Sequence, residues 1–244
     1  PRVRRQRQMC IRDSFPTYLK HRASKLSNLT IKTGVDATVE DIKAYQPDLV
    51  VNATGSVPLL PPIEGLHENL ANADAAVYSI MDMIDNLDNY PEDLTGKKVV
   101  VVGGGAVGLD VVEFFAPRGA ETTIIEMMPI IGNGLDASST ASMKECMSKH
   151  HVTQMVNTAL MKVNPHSFLV KYDGKEEELP FDYGFVCLGM KAHTPIWEAI
   201  EQGFEGENTE VINIGDSVRA RRIIDGTDAG RHLVLNTLER LGYL

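Results

Sequence analysis

The most regular pattern of apolar and polar positions lies in the middle of the chain. In "KKVVVVGGGAVGLDVVEFF" (residues 97–115) four consecutive valines predict a strand, and a glycine turn leads from it into an apolar helix ending near Ala116. Gly119 stands where a helix C-terminus would be closed. "ETTIIE" reads as a second strand and "DASSTASMKECMSKH" as a helix with Asp136 as its cap. Three β-like runs follow, "ALMKVN", "SFLVKYD" and "EEELPF", separated by the turn residues Asn164-Pro165 and Asp173-Gly174. A strand "YGFVCLG" closes the unit.

The flanks read differently. "FPTYLKHRASKLSN" predicts a helix with Pro16 near its first turn, "LTIKTGV" a short strand, and "TVEDIKAYQ" a short helix capped by Thr38 with Asp41 three residues on. "PDLVVNATGS" is an apolar strand ending in small residues, and the Pro-rich "VPLLPPIEG" is extended. Residues 66–96 form a mostly polar connection with a short helix around "YSIMDMIDN". Beyond the central unit, "TEVINIGDS" is a strand running into a Gly-Asp turn and "RIIDGTDAGRHLVLNTLERL" a helix. The glycine unit therefore looks inserted between two pieces of another domain.

Composition narrows the function classes. A chain of 244 residues with 43% apolar and 23% charged residues can bury a sizeable core as one or two domains. The net charge is −9; residues 1–14 contribute five Arg against one Asp, so the rest carries −13. That acidity repels phosphate backbones and argues against nucleic-acid binding. No apolar run reaches membrane-spanning length, and the basic start has no apolar stretch behind it, so neither a bilayer role nor a secretory signal is expected. Cys10, Cys146 and Cys187 form no C-x-x-C pair, which suits a reducing, cytoplasmic setting and argues against a structural metal or a disulfide framework.

"QMCIRDS" (residues 8–14) reads back as CAG-ATG-TGT-ATA-AGA-GAC-AGC, which resembles a sequencing-adapter end translated in one frame. Residues 1–14 are therefore expected to be foreign or a tail without chemistry, and the natural protein is expected to extend further upstream.

Gly103, Gly105 and Gly108 have the spacing of a dinucleotide-binding turn. The first turns sharply out of the strand, the second admits the pyrophosphate to the backbone, and the third lets helix and strand pack closely. Gly104 lies within the same turn. The following helix aims its N-terminal N–H groups at phosphate. Glu126, 23 positions after Gly103 at the end of the second strand, matches the ribose-binding acid. A carboxylate there accepts the free 2′-hydroxyl of NAD(H) and repels the 2′-phosphate of NADP, and "MMPII" (residues 127–131) offers no arginine. NADH is expected over NADPH.

The flanking "DLVVNATG" and "EVINIGD", set on either side of this unit, resemble the two-dinucleotide flavoprotein reductases, in which an NAD domain is inserted into an FAD domain. Ala53-Thr54-Gly55 matches that family's A-T-G turn beside FAD at the domain crossover. Gly215 and Asp216 match its late G-D motif, whose Asp holds the flavin's ribityl chain. Gly189 matches the turn closing the NAD domain. Asp110 stands where the family usually has Glu, and "DGTDAG" departs from the expected D-A-x-x-E-G, which puts the contacts to the flavin ring in doubt.

The wording of "LVVNATGSVPLLPPIEG", "CLGMKAHTP" and "INIGDSVRARRIIDGTDAG" is similar to the C-terminal half of the NADH:flavin oxidoreductases, akin to 2,4-dienoyl-CoA reductase and 2-enoate reductase. The resemblance implies an α/β fold with a Rossmann-like NAD-binding domain (95–190) inserted into an N-terminally truncated FAD-binding domain (15–94 and 191–244). It implies FAD and a nicotinamide dinucleotide. In the same full-length chain it implies a preceding barrel with FMN and a 4Fe-4S cluster that reduces an activated alkene. No acid–base catalytic residue is needed for hydride transfer.

A contrasting expectation is an NAD-responsive binding module without flavin. A disulfide reductase is disfavoured, because Cys146 and Cys187 lack the spacing of a redox pair. His150-His151 reads as a helix end rather than a metal site, and Met127-Met128 as flexible packing beside the adenosine.

Overall fold

The structure, a computed structural model, describes residues 15–244; the expectations for residues 1–14, Cys10 among them, lie outside the described residues. Two units are present, one ending at Pro47 and one beginning at Asp48.

In the first unit, helix α1 covers 15–23 and α2 is Val39–Lys43. The start of α2 follows from two residues. Thr38 Oγ1 accepts the Asp41 N–H at 3.1 Å, and the Asp41 carboxylate accepts the Thr38 N–H at 2.9 Å, so two otherwise orphaned donors are satisfied. The strand expected for "LTIKTGV" does not form, and Leu29, Ile31 and Val35 are exposed. A strand persists only where a neighbour takes its N–H and C=O groups, and the described part of this unit contains no strand to do so.

The second unit opens with β1 (Leu49–Asn52), β2 (Ser56–Pro58), α3 (Leu66–Leu70), β3 (Val77–Ser79) and α4 (Ile80–Asp85). Then come β4 (Lys98–Val102), α5 (Ala106–Phe115), β5 (Glu121–Ile125), α6 (Ala137–Lys149) and β6 (Thr153–Met155). The hairpin strands β7 (Ala159–Asn164), β8 (Ser167–Tyr172) and β9 (Lys175–Pro180) lead to β10 (Tyr183–Val186) and β11 (Met190–Ala192). The chain ends with α7 (Trp197–Gly203), β12 (Glu210–Asn213) and α8 (Ile223–Arg240).

The centre is a parallel sheet in the order β3-β10-β4-β5-β6. The unbroken valines of β4 follow from its burial on both faces. Val99 and Val101 pack with Leu109, Val112 and Phe115 of α5 and with Met147 of α6. Val100 and Val102 face the other way, into Val163, Phe168 and Val170 of the antiparallel β7-β8-β9 sheet and Phe181 just after it. Each such valine contributes roughly 1.5–3 kcal/mol of burial. The connection 66–96 holds the expected helix as α4, and it also contributes edge strand β3 to this sheet.

β1 pairs in parallel with β12, Val50 opposite Val211, although more than 150 residues separate them. In chain order, all strands of the central sheet thus lie between the two partners of one strand pair. A second pairing, β2 antiparallel to β11 with Val57 opposite Lys191, ties the outgoing connection to the returning one. Among the described residues no helix is long and apolar enough to cross a membrane.

Asp182 joins the start of β4 to the approach to β10. Its carboxylate accepts the Lys98 N–H at 2.8 Å and pairs with Lys97 Nζ at 2.9 Å. These two contacts, the Lys98 N–H foremost, hold its carboxyl below the usual carboxylate range. A depressed folded pKa stabilises above the unfolded value near 4 and loses that contribution as pH falls through the folded value. Asp182→Ala should therefore cost about 0.5–1 kcal/mol at pH 7, small because the pair is exposed to solvent. Denaturant titrations of parent and variant should converge on acidification into the range below pH 4.

Candidate functional site

The turn after β4 is built on close backbone packing. Gly103 has φ +103°, and a Cβ there would lie 2.2 Å from the Cys187 carbonyl oxygen. A Cβ on Gly108, one turn into α5, would lie 1.9 Å from the Gly103 carbonyl oxygen. Only hydrogens fit at either place, so α5 starts directly over the end of β4. The turn is further pinned by the Gly103 N–H to the Ile125 carbonyl (2.9 Å) and the Cys187 N–H to the Val102 carbonyl (2.7 Å).

Gly105 is the N-cap of α5 and provides no side chain, so the first N–H groups of the helix have no side-chain acceptor. They border a cleft of about 490 Å³ lined by Gly103, Gly105, Val107, Glu126, Thr158 and Gly189, among others. Of the residues singled out in sequence, Gly103, Gly105, Glu126 and Gly189 are thus brought together. Gly104 and Gly108 stand behind them as packing positions. The shape fits a pyrophosphate, since the cradle is backbone, a Cβ on Gly105 would meet nothing within 4 Å, and the helix end supplies donors and positive potential.

Glu126 follows directly on β5. Its Oε2 accepts the Gly104 N–H at 2.6 Å and its Oε1 the Met128 N–H at 2.8 Å. A carboxylate has about four acceptor positions, so each oxygen keeps one for a ligand hydroxyl. Met127 is 68% exposed at the cleft rim.

The wall formed by Thr158, Ala159 and Leu160 was not evident in the sequence. It is placed by the Thr158 N–H to the Glu126 carbonyl (2.9 Å), and Asn157 before it takes φ +53°. An Asn between two strands is the only local sign of that turn.

A second groove lies where β12 runs into a single 3₁₀ turn, Gly215–Ser217, facing the start of α8. It is lined by Ala53, Gly215, Asp216, Arg221 and Gly226. Asp216 accepts from Ser56 Oγ at 3.1 Å and from the Arg221 N–H at 3.1 Å, one bond on each oxygen. The two glycines leave the passage between loop and helix open: a Cβ on Gly215 would still lie 3.9 Å from Gly226 Cα, and one on Gly226 would meet nothing. That opening and the spare acceptors of Asp216 fit a polyhydroxyl chain. Asp225 accepts the Arg222 N–H at 3.1 Å and so closes the start of α8.

Thr54 and Gly55 sit on the connection between β1 and β2. The Thr54 hydroxyl donates to the His193 carbonyl, and the Gly55 carbonyl accepts the His193 N–H at 2.8 Å.

Cys187 is buried, and burial pushes its thiol up to about 12, with the Asp110 carboxylate a smaller cause. His150 ends α6, and His151 takes φ +53° in the tight turn before β6. Among the described residues no group of three His, Cys, Asp or Glu could hold a metal ion.

The family model for pyridine nucleotide-disulphide oxidoreductases matches residues 13–220. The chain is 27% identical over 216 residues to an NADH oxidase of Thermoanaerobacter brockii, a match covering 88% of this chain and 32% of the relative. It is 26% identical over 197 residues to a cinnamate reductase of Clostridium sporogenes, covering 80% of this chain and 27% of the relative. Among solved structures it is similar to 2-naphthoyl-CoA reductase in complex with 2-naphthoyl-CoA. There the TM-score is 0.72 at 27% identity, over 87% of this chain and 30% of that one. The chain therefore spans about a third of the length of the relatives it matches.

Two outcomes follow from the geometry. Gly108→Ala must push α5 off the turn and should destabilise the protein by about 1–3 kcal/mol, measured by chemical denaturation. Cys187 should resist iodoacetamide at pH 8 in the native protein and react once unfolded, as peptide mapping would reveal.

Proposed function

Because the chain belongs to the pyridine nucleotide-disulphide oxidoreductase family, we propose that it is part of a flavin-dependent NADH oxidoreductase, with NAD(H) in the glycine-turn cleft and FAD along the Gly215 groove. The observation that carries this is the convergence of Gly103, Gly105, Glu126 and Gly189 around the uncapped start of α5. The proposed division is an NAD-binding portion at 95–190 between FAD-binding portions at 15–94 and 191–244.

In this reading the α5 N–H groups and the glycine backbone hold the pyrophosphate, and Glu126 accepts the adenosine ribose hydroxyls. Leu188 and Gly189 line the cleft beside the glycine turn. Asp216, fixed by Ser56 and Arg221, accepts hydroxyls of the ribityl chain, and Ala53-Thr54-Gly55 carries the backbone past it. FAD, when bound, supplies the acceptor for the nicotinamide hydride. The protein's own work is to hold the two groups in register and to exclude water, which requires no acid or base from this chain.

We further propose that the electrons leave for a domain outside this chain, a barrel with FMN and a 4Fe-4S cluster. Reduction of an activated alkene of the enoate or enoyl-CoA type would take place there. The wording of residues 49–65 and 212–230 supports this, as do the likenesses to a cinnamate reductase and to 2-naphthoyl-CoA reductase.

The test is the visible spectrum of the protein in its natural length. A yellow protein bleached by NADH under anaerobic conditions is the expected result. A colourless protein that still binds NADH would replace this reading with a nucleotide-responsive module lacking electron transfer.

A further inference from the structure

The dinucleotide pattern requires glycine at 103, 105 and 108, yet position 104 is glycine as well. The structure places it in close surroundings. A Cβ on Gly104 would lie 3.0 Å from Ile131 Cγ1 and 3.1 Å from Glu126 Cβ, so the peptide is enclosed by the segment that follows β5. Its polar groups are taken up by that segment too. The Gly104 N–H donates to Glu126 Oε2 at 2.6 Å, and the Gly104 carbonyl accepts the Gly132 N–H at 2.7 Å.

The other carboxylate oxygen of Glu126 accepts the Met128 N–H at 2.8 Å. The backbone of Glu126 is bonded on both sides as well, its N–H to the Met155 carbonyl and its carbonyl to the Thr158 N–H, each at 2.9 Å. One carboxylate therefore spans the gap between the β4 turn and the β5 turn, and its own backbone is anchored to the strand ends beyond.

We propose that Glu126 is a latch as well as a selector: the carboxylate that discriminates between nicotinamide dinucleotides also fixes the glycine turn in its binding conformation. This rests on the dinucleotide reading given above and extends it to specificity. Two requirements meet at one side chain. Accepting a 2′-phosphate requires removal of the Glu126 charge, but removing the carboxylate releases the Gly104 and Met128 N–H groups. The turn that receives the pyrophosphate keeps its bonds to Ile125 and Gly132 but loses the one that fixes the Gly104 N–H, so the cradle is less preorganised for both dinucleotides. Selectivity is therefore not exchangeable at this position alone.

The amide of glutamine cannot replace the latch in full. Its carbonyl accepts one N–H, while its NH₂ group meets the second N–H donor to donor. Glu126→Gln should keep one of the two bonds and Glu126→Ala neither.

The test uses the full chain and has two readouts. Hydrogen exchange of the Gly104 and Met128 amides is measured first, without nucleotide, in the parent and both variants. Glu126→Ala should lose protection at both amides while β4 and β5 keep theirs, and Glu126→Gln should lose it at one. Calorimetric titration with NADH and NADPH follows. For Glu126→Ala, NADH affinity should fall about tenfold or more, and NADPH affinity should fail to rise.

Unchanged protection at Gly104 and Met128, together with a gain in NADPH affinity, would overturn the latch and leave Glu126 as a ribose contact only. A parent protein that binds neither nucleotide would defeat the dinucleotide reading instead; the exchange data would still decide whether the latch exists. If Glu126→Ala does not fold, Glu126→Gln carries the test, because two retained protections in that variant contradict the latch equally.

Discussion

The approach of Gly108 to the Gly103 carbonyl is the constraint on which the rest of the molecule depends. With hydrogen in place of a methyl group, α5 rises directly from the end of β4 instead of standing off by a side-chain diameter. Three consequences follow from the bare Cα positions of Gly108 and Gly103 together. The start of α5 opens onto the cleft, its donors uncapped by any side chain. Val112 and Phe115 come down onto Val99 and Val101 in the main core. The backbone at Cys187 can close on the same turn, with its N–H on Val102 and its carbonyl against Gly103. Site and core are thus parts of one packing solution.

The two grooves share backbone as well as sequence proximity. Outgoing β2 and returning β11 pair with each other, and hydrogen bonds extend the pairing at both ends. Leu59 donates to the Gly189 carbonyl at 2.9 Å and His193 to the Gly55 carbonyl at 2.8 Å. Gly189 belongs to the first cleft, and Gly55 leads into Ser56, whose hydroxyl bonds Asp216 in the second groove. These paired segments hold both grooves against one frame. The buried Asn52 and Ser217 and the half-buried Asn213 reinforce the second groove: Asn213 Oδ1 accepts from Asn52 Nδ2 at 2.8 Å and from Ser217 Oγ at 2.6 Å.

Strong local signals made the centre legible from sequence. Four valines, three spaced glycines, an N-cap aspartate and two turn dipeptides each specify a local conformation whatever surrounds them, and β4, α5, α6 and the β7–β9 hairpins appear where those signals stand. The three-residue strands β3, β6 and β11 were not legible, because their apolar runs are too short to show a period and only tertiary pairing makes them strands. "LTIKTGV" failed for the converse reason: it has strand composition but no strand partner within its own described unit. In the candidate site, Glu126 was visible by its spacing, but its bond to Gly104 was not, since nothing local links positions 104 and 126. The Thr158 wall was hidden in the same way.

The most direct measurement is an NADH titration followed by amide chemical shifts on the isotope-labelled chain. If the cleft at the start of α5 is the nucleotide site, the Gly105, Ala106 and Val107 amides should shift most and saturate together. The β8 and β9 amides, outside the cleft lining, should stay in place. Saturable binding that leaves those three amides unmoved would contradict the assignment of the glycine turn, whatever the colour or activity of the protein.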